Sequence, residues 1–136
     1  MDKCSTEEVG RLDALAKHVL LELNDCSRER LSDIDFLRDA LLSAAREAGA
    51  TIIGDSFHIF PPYGGVSGVV IVLESHLSVH TWPEHGYAAV DIFTCGTRVR
   101  PEMAVDLLIR ELQAKDSSIV ELKRGILNSP VSHERK

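Results

Sequence analysis

Polar and titratable residues crowd into the middle of this sequence, directly after an apolar run. The run Val69–Leu73 is followed by Glu74 and Ser75, then by two histidines, and Cys95 comes later in the same region. Burying such groups without partners costs free energy, so their place beside a buried strand indicates a use for them. A hydroxyl, imidazoles, carboxyls and a thiol are the groups of metal binding and of nucleophilic or acid–base catalysis.

Two common chemistries fit this cluster poorly. Metal-ligand types are present at His76, His80, Glu84 and His85. The first two are four residues apart, which suits a helix face, and they fall here on a predicted strand whose one face they could still share. A serine hydrolase would hold Ser75 in a G-x-S-x-G turn between a strand and a helix, and that pattern is absent. We therefore predict no metal and keep both chemistries only as alternatives.

The elements around the cluster predict an α+β fold. Strands are expected at residues 18–23, 51–60, 67–79, 87–93 and 119–123. Helices are expected from Ser32 or Asp33 to about Ala48 and from Pro101 to about Ala114. Residues 1–16 are predicted to be a helical or frayed extension. The order is β-α-β-β-β-α-β, and its natural packing is a two-layer sandwich, a mainly antiparallel sheet with two helices on one face.

Length and composition exclude several classes of protein. With 136 residues, 44% of them hydrophobic and 26% charged, residues 1–136 are expected to form a single globular domain. The net charge of -6 argues against a nucleic-acid-binding face, and no apolar run is long enough to span a membrane. The polar amino terminus has no signal-peptide pattern, so we expect a cytoplasmic protein whose three cysteines are free thiols.

Residues 74–84 read E-S-H-L-S-V-H-T-W-P-E, and residues 86–96 read G-Y-A-A-V-D-I-F-T-C-G. These two stretches match the patterns E-S-H-L-[ST]-[IV]-H-T-W-P-E and G-Y-A-A-[VI]-D-[VIL]-F-T-C-G. The segment thereby resembles a known enzyme family, the self-processing S-adenosylmethionine decarboxylases of bacteria and archaea. Further matches lie upstream, at residues 50–53, 57–58, 60 and 66–68. The resemblance runs from about His18 to Gly125, which is most of the chain.

The resemblance implies that the chain cuts its own backbone between Glu74 and Ser75. The serine hydroxyl would attack the preceding carbonyl, and elimination and hydrolysis would then leave a pyruvoyl group on residue 75. The products would be a β chain, residues 1–74, and an α chain, residues 75–136. The pyruvoyl carbonyl would form a Schiff base with the substrate amine and withdraw electrons while carbon dioxide leaves.

The resemblance also implies roles for five other residues. His80 would be the base of self-processing and Ser67 its helper. Cys95 would return a proton to the substrate carbon, for which a thiol that is largely protonated at neutral pH is suited. Phe60 would stack on adenine and Glu84 would bind the ribose hydroxyls. The pocket would lie at the interface of a dimer of α–β heterodimers.

Departures from the family pattern fall in the outer pocket. Ile59 stands where the family usually has arginine, and Gly64-Gly65 adds a residue to the following loop. The first prediction is that the substrate is S-adenosylmethionine, whose decarboxylation gives the aminopropyl donor of spermidine biosynthesis. The alternative is that an enzyme on the same scaffold decarboxylates arginine or ornithine.

A third possibility is an uncleaved homologue that regulates a partner in mixed dimers. It would show a broken Glu-Ser-His-Cys set, whereas the set here is intact.

Overall fold

The computed structural model describes residues 14–127, which form a six-stranded antiparallel sheet with helices against it. The strands are β1 Ala14–Asn24, β2 Ile52–Phe60, β3 Gly65–Val72, β4 Ser75–Trp82, β5 Tyr87–Cys95 and β6 Asp116–Ile126. The helices are α1 Arg28–Leu31, α2 Ile34–Glu47 and α3 Pro101–Glu111, and a 3-10 turn spans Pro83–His85. Across the sheet the strands follow the order β2-β3-β4-β5-β1-β6.

Helices α2 and α3 cover one face of the sheet and bury the core. Both are amphipathic, and their apolar stripes pack against alternate strand residues such as Leu21, Leu77 and Ile92. Asp33 caps α2, because its side chain accepts a hydrogen bond of 3.0 Å from the Phe36 N–H. Pro101 begins α3, where a missing N–H costs nothing. Within residues 14–127, no helix is long and apolar enough to cross a bilayer.

The other face of the sheet, here called the open face, is covered by no described helix. Strand register and alternation place on it Phe60, Ser67, His80, Ser78, Asp91, Phe93, Cys95, His18 and Arg124. Contacts across neighbouring strands agree with this placement, since the rings of His18 and His76 both lie against Phe93. The open face therefore carries most of the residues that the sequence marks for chemistry.

The predicted class and packing are confirmed, but the predicted order β-α-β-β-β-α-β is one strand short. The region 67–79, predicted as one strand, is the two strands β3 and β4, joined by a turn at Leu73 and Glu74. The chain reverses there, and Ser75 pairs directly with Val72. Neither Leu73 nor Glu74 is a typical turn residue, so this tight turn leaves little composition signal, which is why the two strands read as one.

Two further differences lie near the start of the chain. Ala14–Ala16, predicted to belong to an extension, are the first residues of β1, which pairs with both β5 and β6. The rest of the predicted extension, residues 1–13, lies outside the described residues. Helix α1 was not predicted, because its four residues are too few to show a helical period.

Gly68→Ala is expected to destabilise the fold by about 1–3 kcal/mol, as overpacking of a tight site does. The Phe57 ring lies directly over Gly68, and an added Cβ would stand 1.9 Å from the Cδ2 atom of that ring. Urea denaturation measures the change. Gly54→Ala on the neighbouring strand is the control, because nothing lies within 4 Å of its added Cβ. Equal losses of stability in the two variants would contradict the prediction.

Candidate active site

The turn between β3 and β4 places Ser75 in a strained backbone conformation. Its φ angle is 149°, a value that residues with a side chain rarely adopt. Such a conformation costs about 1–3 kcal/mol and persists only where its surroundings impose it. The strained residue forms the peptide bond with Glu74, so the strain is stored at the bond that the sequence marks for cleavage.

Glu74 is fixed on two sides by hydrogen bonds. Its side chain is buried, with 3% exposed, and its two carboxylate oxygens accept from the backbone N–H and the hydroxyl of Thr51, at 3.1 and 3.3 Å. The Leu73 N–H donates to the Thr51 carbonyl at 2.8 Å. On the other side, the Cys95 N–H donates to the Glu74 carbonyl oxygen at 3.1 Å. A donor is thus already aimed at the oxygen on which charge would develop during attack on this carbonyl.

A cavity of about 500 Å³, here called the cleavage pocket, opens beside this turn. Among the residues that line it are Ser75, Phe93, Cys95 and Arg124. The Arg124 guanidinium lies 5.3 Å from the centre of the Phe93 ring, and its Nη1 atom is 3.0 Å from His18 Nδ1. The cleavage pocket therefore combines a nucleophile, a sulfur atom and one positive charge.

The sulfur of Cys95 is part of a disulfide in this structure, whereas Cys26 is a free thiol. The expectation that all the cysteines are free is therefore wrong for Cys95. A proton can come from this sulfur only after the disulfide is reduced. Burial raises the pKa of the Cys26 thiol to about 11, so that residue stays protonated and unreactive.

A second cavity, here called the histidine pocket, has a volume of about 410 Å³. It brings together Phe60, Ser67, His80 and Glu84. Ser67 and His80 face each other on β3 and β4, and the serine Oγ lies 2.8 Å from His80 Nδ1. This hydrogen bond orients the imidazole and leaves its other nitrogen available for proton transfer.

The two pockets lie toward opposite ends of β4. Ser75 begins that strand and His80 stands five residues further along it, which at the rise of a strand is about 16 Å. A base must come within hydrogen-bonding distance of the proton that it removes. The residues implied by the resemblance therefore form two groups within one chain, Ser75 with Cys95 and Ser67 with His80, and these groups do not meet.

Comparison with known proteins decides which family this arrangement represents. Residues 17–125 match the family model described as S-adenosylmethionine decarboxylase. This chain belongs to the S-adenosylmethionine decarboxylase family. The match covers every strand and helix described above except the first residues of β1 and the last of β6.

Relatives and a solved structure agree with that family. An S-adenosylmethionine decarboxylase proenzyme of Thermodesulfovibrio yellowstonii is 50% identical over 115 residues, which cover 85% of this chain and 84% of the relative. A proenzyme of the same name from Thermotoga maritima is 47% identical over 114 residues, 84% and 87% of the two chains. The crystal structure of the adenosylmethionine decarboxylase from Aquifex aeolicus superposes with a TM-score of 0.78 at 34% identity, covering 85% of this chain and 95% of that one.

Two residues near this turn and its pocket were missed by the sequence analysis. Thr51 directly precedes β2 in a stretch that matches the family, yet nothing in its type marks it as the partner of a buried carboxylate. Arg124 lies on the edge strand β6, far along the chain from the other residues of the cleavage pocket. Only the sheet order, which puts β6 beside β1, brings it there.

The Tyr87 hydroxyl donates to the Glu22 carboxylate across the open face, and this hydrogen bond raises the pKa of Tyr87 to about 12. Across residues 14–127, no three histidine, cysteine, aspartate or glutamate residues are grouped so that they could hold a metal ion.

Proposed function

We propose that this chain cleaves itself between Glu74 and Ser75 and that the cleaved protein decarboxylates S-adenosylmethionine with the pyruvoyl group so formed. The observation that carries the proposal is the scissile carbonyl, which accepts a hydrogen bond from the Cys95 N–H beside the strained Ser75. Membership in the S-adenosylmethionine decarboxylase family and the proenzyme names of the relatives support it. The cleavage products are residues 1–74 and 75–136.

Self-cleavage in this proposal begins when the Ser75 hydroxyl attacks the Glu74 carbonyl carbon. The Cys95 N–H stabilises the negative charge that develops on the carbonyl oxygen. Breaking the C–N bond gives an ester on the serine oxygen, frees the amine and relieves the strain at Ser75. A base then takes the α proton of residue 75, and the bond from its Cβ to the ester oxygen breaks, so that Glu74 leaves with a free α-carboxylate and residue 75 becomes dehydroalanine. Dehydroalanine tautomerises to an imine, and water hydrolyses the imine to the pyruvoyl ketone and ammonia.

The base for that elimination is His80 of a second copy of the chain. Within one chain, His80 is too far along β4 to reach Ser75. The hydrogen bond from Ser67 orients the His80 imidazole for proton transfer to another partner. Two open faces packed against each other about a two-fold axis bring the histidine pocket of one chain to the cleavage pocket of the other. The predicted dimer of heterodimers is therefore part of the proposed mechanism.

Exposed apolar side chains on the open face support this dimer. They include Phe60, Ile71, Trp82, Val120 and Leu122, each between 41% and 52% exposed. A monomer that exposes a large apolar patch usually buries it against a partner. A second copy is the partner that also completes the set of residues needed for cleavage.

Substrate binding is assigned to the histidine pocket, where Phe60 stacks on adenine and Glu84 accepts hydrogen bonds from ribose. The departure at Ile59 does not disturb this pocket: Ile59 pairs with the buried Val66, and strand alternation turns it to the face opposite Phe60. Nothing about Ile59 therefore favours arginine or ornithine, and the names of the relatives favour S-adenosylmethionine. A cytoplasmic location remains a prediction from the amino-terminal sequence.

The decarboxylation step uses residues of the cleavage pocket. The pyruvoyl group, when formed, supplies a carbonyl that withdraws electrons from the α carbon of the bound substrate. Phe93 gives the pocket an apolar wall, which disfavours the charge of the departing carboxylate. Cys95, once reduced, lies beside residue 75 and returns a proton to that carbon.

Cys95→Ala is expected to separate the two activities. The variant keeps the backbone N–H that faces the scissile carbonyl, so it should mature as the wild type does, while decarboxylation falls about 10²- to 10⁴-fold without its acid. The assay measures release of labelled carbon dioxide from S-adenosylmethionine, arginine and ornithine in parallel, under reducing conditions.

Cys26→Ala is the matched control for this assay, because Cys26 is buried away from both pockets. Its activity should equal that of the wild type. Full activity of Cys95→Ala would remove the assigned role. Release of carbon dioxide from arginine or ornithine, but not from S-adenosylmethionine, would overturn the proposed substrate.

A further inference from the structure

We propose that Thr51 is a positioning residue for self-cleavage, which acts by holding the Glu74 carboxylate. This inference rests on the cleavage proposed above and adds a residue to it. Thr51 does not contact Ser75 in any described hydrogen bond, and it acts through Glu74 alone. Its side chain belongs to neither the cleavage pocket nor the histidine pocket.

Thr51 makes three hydrogen bonds to the turn that precedes the scissile bond. Its N–H and hydroxyl donate to the two carboxylate oxygens of Glu74, at 3.1 and 3.3 Å, and its carbonyl accepts from the Leu73 N–H at 2.8 Å. Every polar group of this one residue is thus directed at the turn. A carboxylate that is 3% exposed needs such donors, because burying a charge without partners is costly.

On the opposite side of the turn, the Cys95 N–H donates to the Glu74 carbonyl at 3.1 Å. Residue 74 therefore lies between two anchors, one on its side chain and one on its carbonyl. Ser75 follows directly and has the unfavourable φ of 149°. A strained conformation relaxes unless its surroundings fix it. Loosening the Thr51 anchor lets the turn relax and moves the carbonyl away from its N–H donor.

Thr51 is itself exposed, which distinguishes positioning from packing. Replacing its hydroxyl by a methyl group opens no cavity in the core and leaves its backbone N–H in place. Thr51→Val should therefore still fold, although the Glu74 carboxylate loses one of its two donors. Thr51→Ser keeps the hydroxyl and loses only the methyl group.

The experiment follows cleavage of freshly made full-length chain over time on denaturing gels. Thr51→Val should be cleaved about 10- to 100-fold more slowly than the wild type, the size expected for a lost hydrogen bond to a charged group. Thr51→Ser should restore the wild-type rate. Thr51→Val that has finally matured should decarboxylate at the normal rate, because the anchor serves cleavage only.

A double-mutant cycle tests whether Thr51 acts through Glu74. Glu74→Gln alone should also slow cleavage, and adding Thr51→Val to it should produce little further slowing. Folding is checked separately in the uncleavable Ser75→Ala background, where Thr51→Val should stay folded at the assay temperature even though the lost hydrogen bond lowers the melting temperature by several degrees.

Each remaining outcome counts against one proposal or the other. Cleavage of Thr51→Val at the wild-type rate, additive effects with Glu74→Gln, or slowing that Thr51→Ser does not reverse would overturn the role of Thr51. Slowing in a variant that is no longer folded at the assay temperature would do the same, since it would show a merely structural effect. A wild-type chain that never breaks would overturn the proposed function instead.

Discussion

Ser75→Ala is expected to remain an unbroken polypeptide of 136 residues with no decarboxylase activity. The variant lacks the hydroxyl that attacks the Glu74 carbonyl, and without that attack no pyruvoyl group can form. Both the cleavage and the later chemistry therefore depend on one oxygen atom. Intact-mass measurement and a denaturing gel show the result directly, since the wild type should give two fragments.

Ser78→Ala is the matched control for this experiment. Ser78 lies on the same strand, three residues beyond Ser75, and its hydroxyl donates to Asp91 at 3.4 Å. This variant should be cleaved at the wild-type position. The proposal that Ser75 is the nucleophile of self-cleavage would be contradicted by a wild-type chain that stays unbroken after long incubation. Two fragments from Ser75→Ala would contradict it equally.

Mixing two inactive variants is expected to restore cleavage. Alone, Ser75→Ala cannot be cleaved, and His80→Ala should be slowed about 10²- to 10⁴-fold by the loss of its base. In a mixed dimer, the intact His80 of the Ser75→Ala chain faces the intact Ser75 of the other chain. The proposal of this arrangement rests on the separation of about 16 Å between Ser75 and His80 along β4. The chain that carries His80→Ala should therefore be the one that is cut.

Different affinity tags on the two co-expressed chains identify which of them breaks. The Ser75→Ala chain must stay whole in the mixture, which serves as the internal control. A histidine that acts within its own chain would leave both chains intact even though size measurement shows mixed dimers. That result would exclude the shared site. Cleavage of both chains would exclude Ser75 as the nucleophile.

The layer architecture was predictable because the apolar periods of the long elements are unambiguous. Helix α2 has its cap at Asp33 and its stripe of leucines and alanines, and the structure begins the helix at Ile34. The turn at Leu73 and Glu74 was not predictable in the same way. Neither residue is a turn former, and tertiary hydrogen bonds from Thr51 hold the reversal.

The candidate residues could be named from the sequence, but their division between two pockets could not. Ser75 and His80 are only five residues apart in the sequence, which makes them look like neighbours. An extended strand nevertheless separates them in space, because each residue of a strand adds about 3.3 Å. Ile59 shows the opposite error. It is adjacent to Phe60 in sequence, which places it in the outer pocket by sequence alone, yet strand alternation directs it to the other face.

The order of the strands determines what a break after residue 74 does to the molecule. Strands β1, β2 and β3 belong to the first fragment and β4, β5 and β6 to the second, but across the sheet they alternate as β2-β3, β4-β5, β1 and β6. The first fragment's β1 is held between two strands of the second. The two fragments cannot separate without breaking the β3–β4, β5–β1 and β1–β6 ladders, so they would stay joined by backbone hydrogen bonds in one folded unit. Once unfolded, it must reassemble from two molecules, which makes its renaturation dependent on concentration.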